Sequence, residues 1–97
     1  MIGRQLRIYG RVQGVGFRYG LLCEALRRDL RGWVRNRADG SVEALLLGAA
    51  EAVEELVDWS HRGPPGAHVQ RVVIEELGVE EIGGWGECDG FDQRPTA

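Results

Sequence analysis

The sequence predicts an α+β domain in which two helices pack on one face of an antiparallel sheet. Residues 5–12 alternate between apolar and polar side chains, which is typical of a half-buried strand. Apolar residues then recur at helical spacing in two stretches, one after Gly16 and one from Ala49. Between these stretches an Asp-Gly pair separates two short strand-like runs and indicates a hairpin. The predicted element order is therefore βαββαβ, with a right-handed crossover at each helix.

The first strand and the first helix are each expected to bury one face. The strand buries Leu6, Ile8 and Val12 and exposes Arg7, Tyr9 and Arg11. The predicted buried stripe of the helix consists of Tyr19, Leu22, Cys23, Leu26 and Leu30. Because Cys23 falls within that stripe, we expect it to be a small buried hydrophobic residue rather than a reactive thiol.

The remaining elements follow along the chain. The second helix has an acidic outer face, which we expect to be solvated rather than to bind a metal. Four glycines make the C-terminal tail loop-like, and Phe91 alone indicates a short final edge strand. The predicted ranges are 33–37 and 42–47 for the hairpin strands, 38–41 for their turn, 49–61 for the second helix, 63–66 for a loop and 69–77 for the fourth strand.

The composition fits one domain over residues 1–97 and excludes two classes of enzyme. The chain has 97 residues, of which 12 are basic and 15 acidic, with a net charge of −3. Every basic residue is an arginine, so the chain forms no lysine Schiff base and has no Walker-type phosphate loop. The acidic balance is opposite to that of a general nucleic-acid-binding protein, so we expect no nucleic-acid partner.

Neither a metal site nor a membrane segment is indicated. Cys23 and Cys88 are far apart in the sequence, and His61 and His68 lack the short spacing of a helical metal site, so we expect no metal and no cofactor. No apolar run approaches the roughly 20 residues that span a bilayer, and the start of the chain lacks the apolar stretch of a secretory signal. We therefore expect a stand-alone cytoplasmic monomer that does not bind membranes.

The most informative stretch for chemistry is the junction between the first strand and the first helix. Gly14 and Gly16 permit positive φ angles, which turn successive backbone N–H groups toward a common point. The helix N-terminus that follows favours an anion, and Arg18 in the first turn is able to fold back over it. A phosphate is the natural ligand. The alternative is a tight turn followed by a solvated arginine, and spacing alone leaves both interpretations open.

The chain contains one asparagine, Asn36, at the end of the second predicted strand. Its amide group donates and accepts hydrogen bonds, so it is able to hold a water molecule in line with a phosphate bound at the neighbouring loop. The alternative is a turn residue that caps the hairpin, and this explanation is the better one when the residue is considered alone.

Taken together, the two stretches resemble the acylphosphatase family. They read GRVQGVGFR at residues 10–18 and GWVRNRADGSVE at residues 32–43, and the resemblance covers about residues 4–77. It implies a ferredoxin-like α/β sandwich, with Arg18 and Asn36 as catalytic residues. The phosphate-binding residues that it implies are Gln13, Gly14, Val15, Gly16, Phe17 and Arg18. The C-terminus departs from the family pattern, because residues 87–94 offer only a polar version of the usual closing strand.

The reaction implied by the resemblance is metal-independent hydrolysis of an acyl phosphate to a carboxylate and inorganic phosphate. Inorganic phosphate is then expected to be both product and inhibitor. The alternative is a non-catalytic ferredoxin-like module that binds phosphate-bearing ligands, or an acylphosphatase-like domain of a larger maturation protein. An RNA-recognition domain of the same strand order would need exposed stacking aromatics, for which Tyr9 and Trp33 are weak candidates. Turnover of benzoyl phosphate separates the enzyme from the binding modules.

Overall fold

The computed structural model describes residues 1–84 and 90–97, so Cys88 lies outside the described residues. The elements of the described ranges include one short helix that the sequence did not predict. In chain order they are β1 (Ile2–Arg11), α1 (Phe17–Arg27), β2 (Arg31–Asn36), β3 (Val42–Gly48), α2 (Ala50–Arg62), β4 (His68–Glu76), α3 (Val79–Gly84) and β5 (Phe91–Arg94).

The strands form one five-stranded sheet in the order β4-β1-β3-β2-β5. The four longer strands pair antiparallel, and the short strand β5 lies parallel to β2 at one edge. Helices α1 and α2 pack on one face of this sheet. The predicted α+β ferredoxin-like sandwich is therefore confirmed, with β5 as an added parallel edge. In the ranges that the structure describes, no helix is long and apolar enough to cross a membrane.

Two apolar clusters hold the sheet in place. The larger one lies between the helices and the sheet, and burial of each large apolar side chain there contributes about 1.5–3 kcal/mol. Its fully buried members include Leu6, Ile8, Phe17, Leu21, Val34, Val42, Leu46, Val53 and Leu56. On the opposite face a smaller cluster forms around Trp33, Leu45 and Leu47, against Leu77 and Ile82.

Helix α1 is rotated relative to the predicted helix. Tyr19 and Leu26, which the sequence pattern places in the core, are 65% and 55% exposed. The prediction was wrong because it assigned Phe17 to the preceding loop. In the structure this large side chain is buried in the first turn, against the Trp59 ring at a centroid distance of 5.4 Å, and so determines which side of the helix faces the core. The buried side consists of Phe17, Leu21 and Ala25.

The same helix is shorter than the predicted stripe. It ends at Arg27, and Leu30 is buried in the connection that leads to β2. Leu22 and Cys23 are only partly buried, so the full burial expected for Cys23 is not observed. Cys23 is a free thiol.

The predicted hairpin, second helix and fourth strand are present within two residues of their expected ranges. The acidic outer face of α2 is exposed, as predicted. Ile74, near the centre of this strand, is 42% exposed because β4 is an edge strand with a neighbour on one side only. The tail does form an edge strand that begins at Phe91, whose ring is buried in the main core.

A buried carboxylate, Glu43 on β3, joins three strands on the face of the sheet opposite the large helices. It is 3% exposed and accepts hydrogen bonds from Arg35 at 2.8 Å, Arg37 at 2.9 Å, Arg7 at 3.3 Å and Gln5 at 2.8 Å. Burial raises the pKa of Glu43, but the hydrogen bonds from Arg35, Arg37 and Gln5 outweigh it, and the pKa lies below the ordinary value of 4.5. The carboxylate is therefore the form that stabilises the fold.

We expect Glu43→Gln to lower the free energy of unfolding at pH 7 by about 1–3 kcal/mol, because charge-assisted hydrogen bonds from partly exposed arginines are lost. Since the folded-state pKa is lowered, this contribution is present above the unfolded value of 4.5 and is lost as the pH falls through the folded value. Urea denaturation of both proteins at pH 7 and pH 3 measures the difference. The exposed Glu54→Gln variant of α2 is the control, and an unchanged difference at the two pH values would contradict the assignment.

Candidate active site

A cavity of about 200 Å³ opens where the loop after β1 meets the first turn of α1 and the ends of β2 and β5. It contains both predicted catalytic residues and most of the predicted phosphate-binding residues. Val15 is the exception, since its side chain packs against the main core instead. The lining residues are Val12, Gln13, Gly14, Gly16, Phe17, Arg18, Tyr19, Asn36 and Gln93.

The loop owes its shape to two glycines in the left-handed region. Gly14 has φ 74° and Gly16 has φ 81°, conformations that cost an L-residue about 1 kcal/mol or more. A Cβ atom at either position would meet no atom within 4 Å, so the need for glycine is conformational rather than steric. Gly16 is also the N-cap of α1 and provides no side-chain hydrogen bond to the helix amides. The first N–H groups of α1 therefore remain available to an anion in the cavity.

Two side chains fix the loop relative to the rest of the site. The Gln13 amide donates hydrogen bonds to the backbone carbonyls of Arg37 at 2.7 Å and Ser41 at 2.9 Å, which ties the loop to the β2–β3 hairpin. Phe17 anchors the first turn of α1 in the core. The side chains of Gln13 and Phe17 therefore hold the loop in place, which leaves their backbone N–H groups as their candidate contribution to an anion site.

Arg18 lies in the first turn of α1 and is partly exposed at the cavity. Its Nη1 donates a 3.2 Å hydrogen bond to the carbonyl oxygen of Arg94 on β5. Across residues 1–84 and 90–97 it pairs with no carboxylate, whereas Arg7 and Arg35 are both paired with Glu43. With this one side-chain hydrogen bond to the described residues, the guanidinium retains donors for a phosphate group.

Asn36 is the last residue of β2, and its carboxamide faces the same cavity. Its backbone carbonyl accepts a 3.0 Å hydrogen bond from the N–H of Ala97. Its side-chain Oδ1 is buried and has no hydrogen-bond partner among the residues that the structure describes. An unpaired buried acceptor costs about 1–3 kcal/mol, so this atom calls for an explanation. Because Asn36 lines the cavity, its Oδ1 is a candidate acceptor for a water molecule beside the glycine-containing loop.

The sequence interpretation missed the contribution of the C-terminal tail. Arg94 supplies the carbonyl that orients Arg18, and Ala97 exchanges backbone hydrogen bonds with Asn36 and Ala38. Gln93 lines the cavity itself. The tail carries no periodic pattern that would have indicated these contacts, because they depend on the parallel pairing of β5 with β2.

In the described part of the chain, no group of three His, Cys, Asp or Glu side chains is arranged to hold a metal ion. A second cavity, of about 150 Å³, lies on the opposite face of the sheet beside Glu43. Its arginine, Arg7, already pairs with that carboxylate, so the cavity lacks a free cation to hold a phosphate.

The chain was compared with known proteins. The acylphosphatase family model matches residues 4–85. An acylphosphatase of Acidovorax sp. (strain JS42) is 50% identical over 97 residues, which cover 98% of this chain and 92% of that protein. An acylphosphatase of Thermococcus kodakarensis is 48% identical over 87 residues, covering 90% of this chain and 86% of that protein.

A solved structure agrees with these sequence matches. The crystal structure of acylphosphatase from Bacillus subtilis superposes with a TM-score of 0.86 and 36% sequence identity, covering 97% of this chain and 99% of that one. The fold, the two sequence stretches and the full-length matches point to the same enzyme class. The chain belongs to the acylphosphatase family and is an acylphosphatase.

Proposed function

We propose that the chain hydrolyses acyl phosphates without a metal ion, by in-line attack of a water molecule held by Asn36 on a phosphate held by the loop and Arg18. The observation that carries this proposal is the unpaired, buried Oδ1 of Asn36 in the same cavity as the uncapped N-terminus of α1 and the Arg18 guanidinium. These groups supply an anion-binding loop, a cation and a water acceptor.

The phosphate-binding residues are Gln13, Gly14, Val15, Gly16, Phe17 and Arg18. The backbone N–H groups of the loop and of the first turn of α1 point at the phosphate oxygens, and Arg18 completes their coordination. In a loose phosphoryl-transfer transition state, negative charge is spread over the equatorial oxygens. Preorganised N–H donors and a guanidinium stabilise that charge without reorganising during the reaction.

Asn36 and the leaving group account for the rest of the step. The oxygen of water forms a bond to phosphorus as the bond from phosphorus to the acyl oxygen breaks, and the carboxylate leaves with the electron pair. Asn36 Oδ1 accepts a hydrogen bond from the water and directs its lone pair at phosphorus. A carboxylic acid has a pKa of about 4, so the leaving group needs no general acid. The proton of the water passes to the phosphate product or to solvent.

We expect inorganic phosphate to inhibit competitively and simple alkyl phosphates to be poor substrates. Product and substrate share the group that the loop binds, whereas an alkoxide leaving group needs an acid that the cavity does not offer. The measurement is phosphate release from benzoyl phosphate, acetyl phosphate and an alkyl phosphate, with inhibition constants for phosphate. Comparable rates on the acyl and alkyl phosphates would refute the proposed chemistry, and binding without turnover would favour the non-catalytic module.

We expect turnover to survive exhaustive chelation, because loop amides and Arg18 neutralise the phosphate and the described residues form no metal-ligand cluster. The assay compares benzoyl phosphate hydrolysis before and after treatment with EDTA and 1,10-phenanthroline. Loss of activity that added Mg²⁺ or Zn²⁺ restores would replace the metal-free mechanism with a metal-assisted one.

We infer further that the protein acts as a monomer in the cytoplasm. Both apolar clusters close within one chain, and the exposed large apolar residues are distributed over the N-terminus, α1 and β4: Met1, Tyr19, Leu26, Val73 and Ile74. The free thiol of Cys23 suits a reducing compartment. Sedimentation analysis and cell fractionation test the two parts of this inference separately.

A further inference from the structure

Tyr19 lines the cavity but has no role in the mechanism above and does not pack in the core. It follows Arg18 in the first turn of α1, and its side chain is 65% exposed. Among the described aromatic residues it is the only one that is mostly exposed. An aromatic ring held at the mouth of a cavity and excluded from the core is suited to contact with a ligand.

The two walls of the cavity belong to different layers of the fold. Tyr19 belongs to the helix wall, on α1. Asn36 and Gln93 belong to the sheet wall. Gln93 on β5 pairs with Val34 on β2, whose side chain is buried under the helices, so Gln93 lies on the helix-facing side of the sheet. In-line displacement places the attacking water and the leaving group on opposite sides of phosphorus. With the water held at the sheet wall by Asn36, the acyl group leaves along the helix wall, past Tyr19.

The chemistry of Tyr19 defines the kind of acyl group that this wall accepts. Its interaction with the Cys23 thiol, one turn along α1, raises the pKa of Tyr19 above its ordinary value of 10.0, so the ring is uncharged at neutral pH. Among the described residues, Arg18 is the one carboxylate or guanidinium side chain that lines the cavity, and the proposed mechanism pairs it with the phosphate. The helix wall therefore offers a neutral aromatic surface, which favours a flat, apolar acyl group over a small or charged one.

We propose that Tyr19 is a specificity-determining residue whose ring packs against the acyl group, so that the enzyme prefers aromatic acyl phosphates to acetyl phosphate. This inference rests on the proposed function, since it assigns the acyl half of the same substrate. The contact is made with the bound substrate and changes little during phosphoryl transfer. It therefore affects KM rather than kcat.

The test is the pair Tyr19→Ala and Tyr19→Phe, assayed with benzoyl phosphate and acetyl phosphate. We expect Tyr19→Ala to raise the KM for benzoyl phosphate about threefold to tenfold, the range of an aromatic contact, with kcat unchanged. The KM for acetyl phosphate and the inhibition constant for phosphate should change by less than about twofold, because acetyl phosphate has only a methyl group to contact the ring and phosphate has no apolar group. Tyr19→Phe, which keeps the ring, should behave like the wild type.

Two further variants act as controls. Leu26→Ala removes another exposed apolar side chain of α1 outside the cavity and should change neither substrate's KM. Gln93→Ala tests the opposite wall. The assignment is overturned if the KM for benzoyl phosphate rises selectively in Gln93→Ala and not in Tyr19→Ala. It is also overturned if Tyr19→Ala changes the KM of both substrates equally, or changes neither. Failure of the proposed function looks different, because the wild-type protein would then hydrolyse neither acyl phosphate, whatever residue 19 is.

Discussion

Arg18→Ala should abolish most of the activity and weaken phosphate binding at the same time. In the proposed mechanism the guanidinium contacts the phosphate in the ground state and in the transition state, so KM, the phosphate inhibition constant and kcat should all worsen. The expected loss of transition-state stabilisation is roughly 3–5 kcal/mol, which is more than a hundredfold in kcat/KM. Benzoyl phosphate kinetics and titration of phosphate as inhibitor measure both effects.

The conservative replacement and a neighbouring arginine sharpen this test. Arg18→Lys keeps the charge but loses the planar fork, so it should retain only part of the phosphate affinity. Arg27→Ala removes an exposed arginine at the other end of α1, paired with Glu24, and should leave the kinetics unchanged. Near-normal kcat/KM in Arg18→Ala, with the fold intact, would mean that the backbone amides hold the phosphate alone and that Arg18 is a solvated helix residue.

Asn36→Ala should lower kcat by roughly 10²-fold or more while leaving the phosphate inhibition constant nearly unchanged. The reason is that Oδ1 is proposed to hold the attacking water and not the phosphate. Stability should be equal to or slightly above that of the wild type, because the change removes a buried acceptor with no partner and keeps the backbone pairing of Asn36 with Val42. Steady-state kinetics, phosphate inhibition and thermal unfolding give the three readouts.

A second hairpin variant separates catalysis from turn formation. Asp39 accepts hydrogen bonds from the Ser41 backbone N–H at 2.9 Å and hydroxyl at 2.6 Å, and therefore shapes the turn without lining the cavity. Asp39→Ala should reduce stability with little effect on kcat. If Asn36→Ala instead resembled Asp39→Ala, with lower stability and near-normal kcat, Asn36 would be a hairpin residue and another group would position the water.

Local sequence patterns determined most of the fold. Strand alternation in β1, the Asp-Gly turn and the amphipathic period of α2 are properties of neighbouring residues, so the hairpin strands and α2 appear within two residues of their expected ranges and β1 within three. The same patterns were insufficient for α1, where apolar residues occupy more than one side of the helix. The rotation of that helix depends on the docking of Phe17 beside Trp59, which are 42 residues apart in the sequence.

The candidate site divides in the same way. The glycine-containing loop and Arg18 are contiguous, so the sequence by itself predicted an anion-binding loop, with a tight turn as the alternative. The structure adds the positive φ angles at Gly14 and Gly16, followed directly by a helix N-terminus. Asn36 alone was better explained as a turn residue. Only the tertiary structure decided in favour of a cavity residue, because burial without a hydrogen-bond partner is a property of the packed molecule.

Tertiary structure alone also decided which residues complete the site. Tyr19 was expected in the core and lies at the cavity mouth, because the rotation of α1 turns it outward. Gln93 and the Arg94 carbonyl reach the site through the pairing of β5 with β2, a contact between segments about 60 residues apart. No local period encodes such a contact. The sequence thus predicted a phosphate-binding loop, and long-range packing determined what orients Arg18 and which side chains line the cavity beside that loop.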